Sequence, residues 1–205
     1  ASARRADGAG RNERFDRRRR VHKVLVAQGS AARAGFESAG IAPVMDCGEF
    51  AVFETTRLDL AAASGATVRD DLFLVRTRRG VIDTRTAPRA LIADAADDAT
   101  ARLCLVHFRA PVSDARRADI ERSGIAIVAP APNWALLVRG TGSAIARLDA
   151  SPDVDWTGTF GPLDRLDPSL DATLAEDNAT IAVSIELTAD RAGAELADDL
   201  EHAVV

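Results

Sequence analysis

Three histidines, two cysteines and one glycine-rich loop are the residues of this 205-residue chain whose types could do chemistry. Nucleophilic hydrolysis needs a hydroxyl or thiol whose proton passes to a histidine held by a carboxylate. Gly140-Thr141-Gly142-Ser143-Ala144 has the composition of a nucleophile loop. Its glycines also make an ordinary turn and Ser143 an ordinary helix N-cap, and that reading is the stronger. The same glycines lack the third glycine and downstream acid of a dinucleotide loop. His107 lies in an apolar strand-like run, where a satisfied or exposed histidine is expected rather than a ligand. Cys47 and Cys104 each lie in apolar runs. They are expected to be buried and unbridged, and two cysteines make neither a disulfide framework nor a zinc site. No Cys, His and carboxylate cluster has zinc or EF-hand spacing. No catalytic, metal-binding or cofactor-binding residue is therefore expected, no cofactor is implied, and the chain alone is not expected to be an enzyme.

Composition narrows the partners. Apolar residues make up 47% and charged residues 28%, enough for a packed core. Aromatics are only 4%, so a base-stacking platform is hard to build and nucleic acid is disfavoured as a partner. Lysine occurs once, at Lys23. The net charge of −5 is uneven. Residues 1–20 set eight arginines against Asp7, Glu13 and Asp16, whereas residues 164–205 set eleven carboxylates against Arg165 and Arg191. Residues 1–20 are nearly devoid of apolar side chains and are expected to form a basic disordered leader. No run approaches the ~18 apolar residues of a membrane span. A signal peptide and an initiator Met are not visible, which fits a mature or excised product.

The elements that must carry these residues come from an internal repeat. Gly40-Ile41-Ala42 recurs as Gly124-Ile125-Ala126, and Phe50-Ala51-Val52 as Trp134-Ala135-Leu136, both 84 residues on. Periodicity predicts strands at 24–26, 41–46, 50–54 and 71–77 in the first copy, with helices at 31–39, capped by Ser30, and at 58–63. The second copy predicts strands at 103–108, 125–129, 134–138 and 154–159. Its helices fall at 114–122, capped by Ser113 and stopped by Gly124, and at 143–150. The expected fold class is α+β, with tandem ferredoxin-like β-α-β-β-α-β modules on antiparallel four-stranded sheets. Helices cover one face of each sheet, leaving the other free for a partner or for the sister module.

The expected division is a leader at 1–20, module 1 at 21–88, a linker at 89–100, module 2 at 101–162 and a linker at 163–178. A strand and helix of an incomplete third module follow at 179–205. Alternation of Ile181, Val183, Ile185 and Leu187 supports the last of these, and self-association would complete it.

The second copy carries an ordered motif series: Leu105-Val106-His107-Phe108, Ala110-Pro111-Val112, Gly124-Ile125, Pro132-Asn133-Trp134-Ala135-Leu136 and Ser151-Pro152-Asp153-Val154-Asp155-Trp156. Gly161-Pro162 and Leu166-Asp167-Pro168-Ser169-Leu170 trail it. This series resembles the N-terminal propeptide-inhibitor-like region of large subtilisin-like serine proteases. The first copy fits more loosely, with Cys47 a departure in Asp46-Cys47-Gly48-Glu49-Phe50. The resemblance implies a non-catalytic folding assistant, an intramolecular chaperone, that inhibits the catalytic domain through its sheet face. It implies that domain as partner, in cis or after cleavage, and a secreted or extracytoplasmic location. His22, His107 and His202 precede Lys, Phe and Ala, not the Gly that follows the family's catalytic histidine.

If a partner surface exists, Pro132, Asn133, Trp134 and Trp156 are the expected anchors, since large aromatics near turns anchor interfaces. They also suit a core. The competing function is a tandem ferredoxin-like ligand sensor or scaffold with no protease partner.

Overall fold

The computed structural model describes residues 20–63, 65–90 and 100–172. Most of the basic leader and the third module at 179–205 lie outside the described residues, as do 91–99 and 173–178 of the two linkers. The chain divides into two compact units, Ala1–Arg165 and Leu166–Val205. In the second, Asp167 caps a 3-10 turn at Pro168–Leu170, its side chain accepting from the Ser169 amide.

The first unit is α+β. Its first sheet contains β1 (His22–Ala27), β2 (Met45–Asp46), β3 (Phe50–Thr55) and β4 (Ala66–Val68), all antiparallel, in the order β2-β3-β1-β4. Helices α1 (Ala31–Ser38) and α2 (Leu58–Ala61) fall between these strands. The Ser30 hydroxyl accepts from the Arg33 amide at the start of α1, and Gly40, at φ 70°, turns the chain out of it. Alternation decides what is buried. Val24, Val26, Ala51 and Phe53 face the helices and pack with Ala32 and Phe36. Lys23, Leu25, Val52 and Glu54 therefore point the other way.

A two-stranded hairpin follows, β5 (Leu74–Thr77) with β6 (Gly80–Asp83), after a 3-10 turn at Asp70–Phe73. The strand expected at 71–77 thus belongs to this hairpin. The fourth strand of the first sheet is Ala66–Val68, pairing with Val24–Val26 of β1.

The second four-stranded sheet contains β7 (Arg102–Phe108), β8 (Ala126–Ala131), β9 (Ala135–Gly140) and β10 (Val154–Thr159), antiparallel in the order β10-β7-β9-β8. Helices α3 (Asp114–Arg122) and α4 (Gly142–Asp149) cover one face. Ser113 caps α3 as expected, and Gly124 follows it at φ 85°. The cap of α4 is Thr141, whose hydroxyl accepts from the Ala144 amide, not Ser143. Gly140 closes β9 and Gly142 opens α4, so the loop that resembled a nucleophile elbow is a strand end running straight into a helix.

Cys104, Val106, Phe108, Leu136 and Val138 meet Ile120, Ile145 and Leu148 beneath the helices. Each large apolar side chain taken from water there contributes about 1.5–3 kcal/mol. In β3 the helix-facing residues are Ala51 and Phe53 and in β9 they are Leu136 and Val138, an offset of 85. The repeat of 84 read from the sequence holds at the helix stops but slips by one in this strand. A slip of one exchanges the two faces of a strand.

The other face of the second sheet is not free. Leu105, Ala135 and Trp156 form a buried cluster with Val75 of β5, joined at its margin by Ile82, Ala131, Leu137 and Phe160. The hairpin supplies the cover that was expected from a partner or from the sister module.

Candidate functional site: a buried polar seam

β10 does not run in simple register with β7. Val154 pairs with Phe108 and Trp156 with His107, so two residues oppose one and the register shifts at Asp155. Such a bulge re-aims side chains. Val154 joins the helix-side core, whereas Trp156 joins the hairpin-side cluster. The Asp155 carboxylate reaches His107, with Oδ2 3.0 Å from Nδ1. The Thr84 hydroxyl, just beyond β6, donates to the same oxygen at 3.2 Å. Nε2 of His107 lies 2.8 Å from the Leu72 carbonyl in the 3-10 turn. His107 and Thr84 are fully buried and Asp155 nearly so.

A second buried group adjoins the first. Lys23 has no exposed surface. Its ammonium donates to Glu54 Oε1 at 3.1 Å, across the β1–β3 pair, and to the Arg109 carbonyl at 2.8 Å. It also lies 4.7 Å from the Phe73 ring centre and 5.3 Å from that of Trp134, within cation–π range. The Arg109 guanidinium grips Glu54 Oε2 through Nε at 3.0 Å and Nη2 at 2.7 Å. Burial pushes the Lys23 ammonium below its ordinary 10.5, and the charges of Glu54 and Asp155 oppose that shift. Lys23 and Glu54 come from the first sheet and Arg109 from the end of β7, so the seam joins the two sheets through charge.

The four residues expected as partner anchors lie on or beside this seam. Pro132 is exposed at the β8–β9 turn. Asn133 and Trp134 both have positive φ, 59° and 65°. Asparagine tolerates that conformation and tryptophan rarely adopts it. The Asn133 amide donates to the carbonyls of Asp71 at 2.8 Å and Leu74 at 2.7 Å, pinning the start of the hairpin. Trp134 packs against the helix-side cluster with its ring over Lys23. Trp156 is 3% exposed, and its indole N–H donates to the Pro88 carbonyl at 3.1 Å. Asn133 and Trp156 thus bind the segment between the two sheets, Trp134 packs between the second-sheet core and Lys23 of the first, and Pro132 stands open.

Chemically, the seam holds charge but offers no accessible base. Both ring nitrogens of His107 are engaged, by Asp155 and the Leu72 carbonyl, and among the described residues no hydroxyl or thiol bonds to them. His22 pairs with Asp70 at 2.7 Å, and His202 lies outside the described residues. Both cysteines are free; Cys104 is buried and Cys47 half-buried, and burial pushes both thiols up. A cleft of about 410 Å³ opens between residues 42–45 and 108–112, walled by Pro43, Met45, Phe108, Pro111 and Val112.

Residues 75–161 match a family model described as a domain of unknown function (DUF8729). That span starts in β5 and closes just after β10, so it keeps the hairpin with the second sheet. It contains His107, Asp155 and Thr84, and excludes Lys23 and Glu54. No curated protein and no solved structure matches the chain.

Sequence reasoning missed the seam. Lys23 was visible only as the sole lysine. A lone lysine inside an alternating strand, with a glutamate in the neighbouring strand, is the signal that was there to be used.

Proposed function

We propose that this chain is a non-catalytic protein-binding region built from two ferredoxin-like modules, the propeptide-like part of a secreted subtilisin-like serine protease. In this role it assists folding of the catalytic domain and inhibits it. The observation that carries the proposal is the coincidence of two features on residues 102–159. The ordered motif series of the resemblance falls there, and so does a β-α-β-β-α-β run with strand order β10-β7-β9-β8. The first sheet repeats that order, which supports a tandem. No helix among the described residues is long and apolar enough to cross a membrane.

The hairpin alters how contact would be made. A protease meeting the second sheet through Leu105, Ala135 and Trp156 has to displace β5 and β6, or else it binds elsewhere on the chain. This cover favours the second reading, a tandem binding or assembly module with no protease partner. Refolding of a denatured subtilisin-like catalytic domain separates the two. Recovery of activity that rises with added chain supports the propeptide-like role, and unchanged recovery at micromolar chain favours the assembly module.

A further inference from the structure

We infer that the His107–Asp155 pair is a proton-dependent latch that fastens the connecting segment, from Leu72 to Thr84, onto the second sheet. The inference concerns the chain alone and does not depend on a protease partner.

Proton counting drives it. Nε2 faces a carbonyl oxygen and Nδ1 faces a carboxylate oxygen, 2.8 Å and 3.0 Å away. Both neighbours are acceptors, so each link needs its own proton. A neutral imidazole beside an ionised carboxylate carries only one. The closed arrangement therefore holds one proton more than that state. Lys23, Arg85 and Arg109 each interact electrostatically with the Asp155 carboxylate. Closed, the pair shares that extra proton, with Thr84 as a further donor to the Asp155 carboxylate.

Removing that proton leaves a ring lone pair facing either the Leu72 carbonyl or the carboxylate oxygen. One link is lost. The segment it held is a 3-10 turn and a two-stranded hairpin, an element that is marginal without support. Among its remaining anchors are Asn133 on the Asp71 and Leu74 carbonyls, Arg79 on the Leu163 carbonyl, Lys23 over the Phe73 ring and the apolar contacts of Val75. The latch is closed at low pH and loosens as pH rises. Opening bares Leu105, Ala135 and Trp156, the face that would meet a partner.

Amide exchange of the full chain, read by mass spectrometry from about pH 5 to about pH 9, spans the range in which histidine pairs titrate. Rates are corrected for the intrinsic pH dependence of exchange. Protection of 72–84 is expected to fall about ten-fold or more as pH rises, the value of one charge-assisted hydrogen bond. In Asp155→Asn the amide donates to a neutral ring, so both links survive and protection becomes independent of pH. In His107→Gln one link is missing throughout, and protection is low at every pH while α3 stays protected. His22→Gln controls for the His22–Asp70 pair and is expected to behave as wild type. Wild-type protection independent of pH overturns the latch. So does pH dependence that persists in Asp155→Asn or disappears in His22→Gln.

Discussion

The Asp155 carboxylate lies 3.0 Å from Nδ1 of His107, and a one-residue bulge in β10 is what aims it there. Without the bulge, Val154 and Trp156 would share a face and Asp155 would point to the opposite one. With it, Val154 packs beneath the helices, Trp156 packs against the hairpin, and an acid sits between two buried layers. The same local irregularity thus builds part of the core and the polar seam.

Gly158 is fixed by Trp156. A Cβ at position 158 would stand 2.0 Å from the Trp156 ring, so the indole lies flat across a residue without a side chain. Gly158→Ala is expected to cost about 1–3 kcal/mol by forcing the ring off its seat. Denaturant unfolding gives the loss, and the near-ultraviolet circular dichroism of the tryptophans changes with it.

The charges around Lys23 have unequal mutational costs. Glu54→Gln leaves Lys23 and Arg109 without their shared counter-charge and is expected to destabilise by about 3–5 kcal/mol. Lys23→Met removes a desolvated charge while leaving the Arg109–Glu54 pair, and is expected to be neutral or stabilising in guanidinium unfolding.

A pH scan tests the same group independently. Lys23 is held below 10.5 when folded, so the unfolded chain binds that proton more tightly. The resulting penalty is complete below the folded value and fades as pH rises through it toward 10.5. Stability of wild type relative to Lys23→Met should therefore rise over that alkaline interval. A constant difference would mean that burial does not shift Lys23.

Asn133 pins the hairpin through two carbonyls and sits at φ 59°. Asn133→Ala loses both bonds and meets the left-handed conformation with a Cβ, and about 2–3 kcal/mol of stability should go with it. Asn133→Gly loses the bonds alone and should fall between. Thermal unfolding orders the three proteins, and Asn133→Gly below Asn133→Ala would contradict the argument.

The helix caps show what the sequence could and could not reveal. Ser113, helix 114–122 and Gly124 were legible because a polar cap, an Ile120 facing the core and a glycine stop all agree. At the next helix two hydroxyls compete. Thr141 wins, because β9 runs on to Gly140 and leaves no turn before the helix. Thr141→Ala is expected to cost about 1 kcal/mol and Ser143→Ala little by comparison.

Other features were invisible for definite reasons. Ala66-Thr67-Val68 is too short to show a period, so the stronger alternation after Asp71 took its place in the first sheet. That alternation marked a strand without naming its partner, and its partner is the Gly80–Asp83 strand, which begins three residues after Thr77. The bulge at Asp155 breaks period two at the point where the eye relies on it. Burial of the polar seam follows from the docking of two sheets and a hairpin, which neither repeat carries alone.

The role proposed for this chain is to bind a subtilisin-like catalytic domain without itself being a catalyst. Titration of the full chain against an active catalytic domain of that class, with a small chromogenic substrate as reporter, tests it most directly. Saturable inhibition at or below micromolar concentration, with the chain recovered uncleaved at early times, is the predicted result. Full protease activity at all concentrations, with the chain neither bound nor protected, would contradict the account.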